Sequence, residues 1–187
     1  MNKIVVCACA ALLCATSAQA APSKSIESAG TAVAIAMPLV AGGITVWKDD
    51  WRGTAQLVVV TTLTVGTALA LKHLVRECRP FAKPCTPGGN NWDSFPSDTS
   101  ALASAPASFL WKRYGWEYGV PAFAASEFVS YSRVQAKKHH IWDVLTSTVI
   151  SIGYNQLITT RYHPRNSFYS SLDASPDGVY ASMHYTW

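Results

Sequence analysis

Two long apolar stretches, residues 28–47 (SAGTAVAIAMPLVAGGITVW) and 54–71 (TAQLVVVTTLTVGTALAL), are joined across the polar turn KDDWRG. Their length and apolar character predict helices. A Pro/Gly/Asn-rich loop over 81–95 interrupts the pattern, and helical patterns resume at about 98–113, 117–135 and 141–158. From residue 159 the chain turns polar and is broken by Pro164 and Pro176. There the alternation of Val179, Ala181, Met183, Tyr185 and Trp187 predicts a short strand. The expected architecture is all-α, a bundle of about five to six helices.

The N-terminus carries a different pattern. MNK gives a short positive start, IVVCACAALLCATS an apolar run, and Ala18-Gln19-Ala20 a small-residue cleavage site. Residues 1–20 therefore read as a signal peptide cleaved before Ala21, with export to a periplasm. The alternative is a lipoprotein anchored at Cys14, which Leu13 disfavours. Residues 21–160 then form one helical domain and 161–187 a polar C-terminal tail. Cys7, Cys9 and Cys14 leave with the signal. In an oxidising compartment the remaining Cys78 and Cys85 are expected to form a disulfide closing the loop RPFAKP, the alternative being two buried thiols.

Composition narrows the partners. Charged residues make up 14% of the chain and apolar ones 49%, so either the core is large or part of the surface faces lipid. Each of the first two stretches is long enough to span a bilayer, and the expectation is membrane association. The net charge of +4 comes with no basic run interleaved with aromatics, which argues against nucleic acid.

Polar groups cluster at particular helix ends. Lys72 and Arg79 follow the second apolar stretch, Asp98 opens the third helix, Arg133 closes the fourth, and His139 to Asp143 open the last. If successive helices run antiparallel, these groups meet at one end of the bundle as an active site, and Trp47, Trp51, Trp111, Tyr114 and Trp116 gather at the other. Three converging cations repel one another unless an anion is bound, and arginine's planar fork suits phosphate oxygens. The helix start at Ser97–Asp98 would add backbone donors. Asp143, one turn after His139, can orient the imidazole, making it an in-line nucleophile toward a bound phosphate. The cations would stabilise the transition state. Taken singly, each has a plainer reading: Lys72 and Arg79 as cations at a helix C-terminus, the histidines as a solvated loop. Asp49, Asp50 and Glu127 read as structural. His73, His163 and His184 have no evident shared partners, so no metal site is expected.

These residues carry a resemblance. Lys72-HLVREC-Arg79-Pro80 resembles the first signature of the type 2 phosphatidic acid phosphatase superfamily, which also includes class A bacterial acid phosphatases and vanadium haloperoxidases. Ser132-Arg133-VQAKK-His139-HIW-Asp143 resembles its third signature, and the likeness spans about residues 54–160. The resemblance implies that His139 attacks phosphorus to form a phosphohistidine and that Asp143 positions it. It also implies that Lys72, Arg79, Arg133 and the Ser97 hydroxyl hold the phosphoryl oxygens, with no metal or other cofactor. The second signature departs from the family: Pro96 and Ser97 are kept, but Asp98 stands where glycine is usual and Thr99 where histidine is usual. Threonine cannot act as the leaving-group acid near neutral pH. That role passes to Asp98 or a neighbouring histidine such as His140 or His73, or becomes unnecessary when the leaving group is itself a phosphate ester. The expected function is hydrolysis of a lipid phosphate, lipid diphosphate or small phosphate ester. The alternatives are a non-catalytic phosphate- or lipid-binding member and, more distantly, a haloperoxidase.

Overall fold

The computed structural model of the protein describes residues 23–82, 85–86, 89–163, 167–175 and 178–186. The expected signal peptide over 1–20 lies outside them. Five α-helices follow one another: α1 Ser23–Trp47, α2 Trp51–Val75, α3 Asp98–Tyr114, α4 Trp116–Gln135 and α5 Ile141–Ile158. The polar tail pairs as a hairpin, β1 Ser167–Ser175 antiparallel to β2 Gly178–Thr186. The strand expected at 179–187 is β2. The fold is all-α.

Helix α3 forms the axis and packs against each of the other four. Its sequence explains the position: Ala and Ser dominate, and Ser100, Ala101, Ala103 to Leu110 and Arg113 are all buried. Small side chains let neighbouring backbones approach closely from every side. Phe109 supplies bulk, packed in the core with Met37, Leu57, Val60 and Val129. Gly30 of α1 makes an equally close approach to α4, since a Cβ there would lie 1.9 Å from Ser132 Oγ.

Helix α5 is built with its polar side inward. Asp143, Ser147, Ser151 and Asn155 recur every fourth residue and are buried, whereas Val149 is 67% and Leu157 84% exposed. The buried stripe bonds to α3: Ser147 Oγ donates to Ser97 O at 2.7 Å, Ser151 Oγ to Ser108 Oγ at 3.0 Å and Asn155 Nδ2 to Ala105 O at 3.2 Å. Hydroxyl and amide groups holding helices together beneath an apolar exterior are the packing that lipid favours. Two helical segments, Lys24–Trp47 and Trp51–Ala82, are long and apolar enough to cross a membrane, and little of either is buried inside the bundle.

The helices alternate in direction, so the bundle has two poles. At one, Arg113 at the end of α3 forms a two-pronged ion pair with Asp50 in the α1–α2 turn, at 2.7 and 2.5 Å, and Tyr114 Oη donates to the same carboxylate at 2.7 Å. Asp50 also caps α2 by accepting from Gly53 N–H at 2.8 Å. Lys48 lies 5.0 to 5.7 Å from the rings of Trp47, Tyr114, Tyr118 and Tyr162. The aromatic residues expected at this pole include Trp47, Trp51 and Trp116, all strongly exposed. Trp142, at the opposite pole, is exposed as well.

Candidate active site

The other pole is assembled by three chain reversals. Helix α2 stops one turn after Lys72 because Arg76 adopts a left-handed conformation (φ 50°) and returns its N–H to Lys72 O. The chain then enters a loop carrying Arg79, where Cys78 and Cys85 are disulfide-bonded with Cα atoms 6.1 Å apart. Ser94 N–H donates to Glu77 O at 2.9 Å and Arg79 N–H to Asn91 O at 3.0 Å, folding the loop back on itself. Lys137, also left-handed (φ 53°), turns the chain after α4. Phe81 N–H to Lys137 O at 3.0 Å fastens the two loops together.

The three cations are near one another but differently partnered. Lys72 donates to Asp93 O at 2.8 Å and lies 3.3 Å from the Asp98 carboxylate. Arg79 grips the Asp93 carboxylate with Nε and Nη2, both at 2.7 Å. The Arg79 guanidinium in turn holds the Asp93 carboxyl below its ordinary pKa, against the opposing effect of burial. Arg133 is 4% exposed, yet its guanidinium donates to neutral acceptors: Glu27 O at 2.5 Å, Thr31 Oγ1 at 3.0 Å and Ser132 Oγ at 3.3 Å. No carboxylate among the described residues lies within ion-pair distance of it. Its charge is close enough to feel Arg79, Asp98 and Glu27.

His139 and Asp143 are both buried. The ring's Nδ1 lies 2.6 Å from Ser94 O and 3.6 Å from Asp143 Oδ2. The carboxylate expected to orient the ring is therefore within reach, but the backbone of Ser94 is the nearer acceptor. Asp143 Oδ2 is itself fixed by Ser94 Oγ–H at 2.5 Å and by His140 N–H at 2.7 Å. With Nδ1 donating to Ser94 O, Nε2 keeps its lone pair, the form needed for attack on phosphorus.

Ser97 caps α3, its Oγ accepting from Ser100 N–H at 3.3 Å, and its own N–H donates to Asp143 O at 3.2 Å. The cap binds the start of α3 to the start of α5. Asp98 sits in the first turn of α3 with its carboxylate on Lys72, and Thr99 follows it. His140 Nδ1 lies 3.3 Å from Glu77 Oε1 and 3.5 Å from Asp143 Oδ2, while its Nε2 is buried without a hydrogen bond. Glu77, His140 and Asp143 each offer an atom within 4.8 Å of the others, close enough to share a cation. The same spacing suits proton sharing. His73 lies on an exposed part of α2.

Asp93 and Ser94 contact the candidate residues Arg79, His139 and Asp143, and the sequence alone does not single them out. They fall between the signatures, in a loop without periodicity. Their roles depend on backbone carbonyls as much as side chains, and no residue pattern encodes that. An acid next to a hydroxyl, three residues ahead of Ser97, was the one available cue.

Comparison with known proteins gives two findings. Residues 53–167 match the PAP2 superfamily. The chain is similar to the lipid A 4'-phosphatase of Helicobacter pylori (strain J99), with 32% identity over 136 residues that cover 69% of this chain and 67% of that protein. No solved structure matches the chain significantly.

Proposed function

From the premise that the chain belongs to the PAP2 superfamily, we propose that it is a membrane-associated phosphatase that removes a phosphoryl group from a phosphorylated lipid. The observation that carries the reading is Arg133: a buried guanidinium given only neutral acceptors, beside two further cations, wants an anion. The exposed apolar faces of α1 and α2 fit a lipid environment, and the similarity to a lipid A 4'-phosphatase favours a lipid phosphate. Export through residues 1–20, with the cation-bearing pole on the periplasmic side, belongs to the same proposal.

In the proposed mechanism, His139 Nε2 attacks phosphorus while Lys72, Arg79 and Arg133 neutralise the equatorial oxygens without a metal. The phosphorus–oxygen bond to the lipid breaks as the N–P bond forms. His140, oriented by Glu77, gives a proton to the departing oxygen, the role that Thr99 cannot fill. Asp98 is the weaker candidate because its carboxylate is committed to Lys72. Water then attacks the phosphohistidine, returns a proton to His140, and inorganic phosphate leaves.

Thr99, together with the carboxylates on Lys72 and Arg79, favours one competing reading, a phosphate- or lipid-binding protein without turnover. Phosphate release from a panel of lipid mono- and diphosphates, compared with His139→Ala, decides between them. Release by the wild type alone, with a trapped phosphohistidine, supports the enzyme. A tightly held phospholipid that neither protein hydrolyses supports the binder.

A further inference from the structure

Among the described residues, two arginine–aspartate clamps share the same two-pronged form, and they differ in exposure. Arg113–Asp50 is sealed, with side chains 5% and 4% exposed. Arg79–Asp93 is open on the acid's side, where the Asp93 side chain is 44% exposed. A buried pair cannot part without stranding charges, whereas a half-exposed carboxylate can swing into water at small cost. The Lys72–Asp98 contact shares this openness, with the Asp98 side chain 41% exposed.

Both open carboxylates lie on cations of the proposed phosphate cradle. Arg79 spends Nε and Nη2 on Asp93 in the parallel geometry it would use on two phosphate oxygens, so it cannot hold both anions that way at once. Lys72 is likewise divided between Asp98 Oδ1 and Asp93 O. Counted with Arg133, the five groups leave one net positive charge where the cations alone would give three.

Resting on the phosphatase reading, we infer that Asp93 and Asp98 are built-in competitors for the phosphate seat, displaced by a substrate phosphoryl group and returning to expel inorganic phosphate. They set affinity by occupying the cations, and so act as positioning residues rather than as catalytic ones. The cradle is thereby tuned for weak retention of its product. A lipid phosphate gains additional binding from its acyl chains and can displace the carboxylates, whereas free phosphate has only the cradle.

The test is the affinity of the full-length, detergent-solubilised protein for inorganic phosphate, measured by calorimetry and as competitive inhibition. Asp93→Asn, Asp98→Asn and the double variant keep side-chain volume and alter half-exposed groups. Each single variant is expected to bind phosphate about three- to tenfold more tightly, and the double variant more tightly than either. KM for the lipid phosphate should fall, with kcat unchanged or reduced as product release slows. Phosphate affinity that is unchanged or weaker in both single variants overturns the inference, because the carboxylates would then be holding the cations in place. The two readings fail separately. Tighter phosphate binding in proteins that hydrolyse nothing keeps the competitors and removes the phosphatase; lipid phosphate hydrolysis with unmoved phosphate affinity does the reverse.

Discussion

Ser94 meets the His139–Asp143 pair twice, taking the imidazole Nδ1 on its carbonyl at 2.6 Å and giving its hydroxyl to Asp143 Oδ2 at 2.5 Å. The imidazole and the neighbouring carboxylate are therefore aligned through a third residue. Replacing Ser94 by Ala keeps the carbonyl and removes the hydroxyl. The expected result is about a tenfold loss of kcat/KM with KM little changed, the size of one hydrogen bond to a charged group. His139→Ala should lose at least about a thousandfold, as for removal of a nucleophile. Steady-state kinetics on one lipid phosphate separates the two; equal losses would mean that Ser94 is needed for folding of the site rather than for alignment.

Thr99 stands where the family carries a histidine. Because His140 already gives the departing oxygen its proton in the proposed mechanism, Thr99→His is expected to raise turnover of an alkyl monophosphate, whose alkoxide leaving group needs that proton, by less than about tenfold. Turnover of a diphosphate, which leaves as a phosphate ester, should change little. If both substrates are inert in the wild type and both are rescued by the substitution, the idea that His140 already supplies the proton is wrong.

At the far pole, Asp50→Ala would leave Arg113 buried without its carboxylate. A loss of about 3–5 kcal/mol is expected in chemical unfolding, because an uncompensated buried charge costs more than the pair contributes. The acid limb of stability should report the same group. Burial is the largest single influence and pushes the Asp50 carboxyl up, but hydrogen bonds from Arg113, Tyr114 and Gly53 N–H outweigh it and hold the pKa below the ordinary 3.8. The unfolded chain therefore takes up this proton first. The contribution is complete above about pH 4 and fades as pH falls through the lower native value. Unfolding measured from pH 6 to pH 2 should show a shallower decline in Asp50→Asn than in the wild type.

Gly30→Ala tests the seating of Arg133. The added methyl would lie 1.9 Å from Ser132 Oγ and 3.5 Å from Arg133 Nη2, so α1 must move away from α4. Overpacking of this kind costs about 1–3 kcal/mol. Because Glu27 O and Thr31 Oγ1 on α1 are the acceptors that aim Arg133, phosphate affinity should fall with stability. Lost stability with intact phosphate affinity would show that Arg133 holds its place without α1.

The gathering of the candidate residues at one pole was legible in the sequence because they keep a fixed spacing. Lys72 with Arg79, and Arg133 with His139 and Asp143, lie on or just beyond helix ends, where separation along the chain translates directly into position. The helices themselves were legible from apolar runs, and the ends differ mainly because Asp50 caps α2 ahead of Trp51 and the helix runs on through Lys72 to Val75, where Arg76 ends it. What stayed hidden depends on contacts between distant segments. Ser and Thr in the later helices look like a solvated surface in a linear reading, yet Ser147, Ser151 and Asn155 point inward because small polar groups on α3 await them. The ion pairs of Asp93 and Asp98 with the cradle cations were hidden for the same reason, since nothing in their spacing ties them to Arg79 and Lys72.

The file of polar residues on α5 has a mechanical corollary. Asp143, Ser147, Ser151, Asn155 and Thr159 each engage a neighbour within the file or across it, one rung per helical turn. Sliding the helix along its axis by a fraction of a turn leaves the bonds within the file intact but strains all three that reach α3, from Ser147 to Ser97 O, Ser151 to Ser108 Oγ and Asn155 to Ala105 O. Such a rod behaves as a toothed rack, stiff against creep. Through its bonds to α3 it holds His139, just ahead of its first tooth, at a fixed height along the bundle.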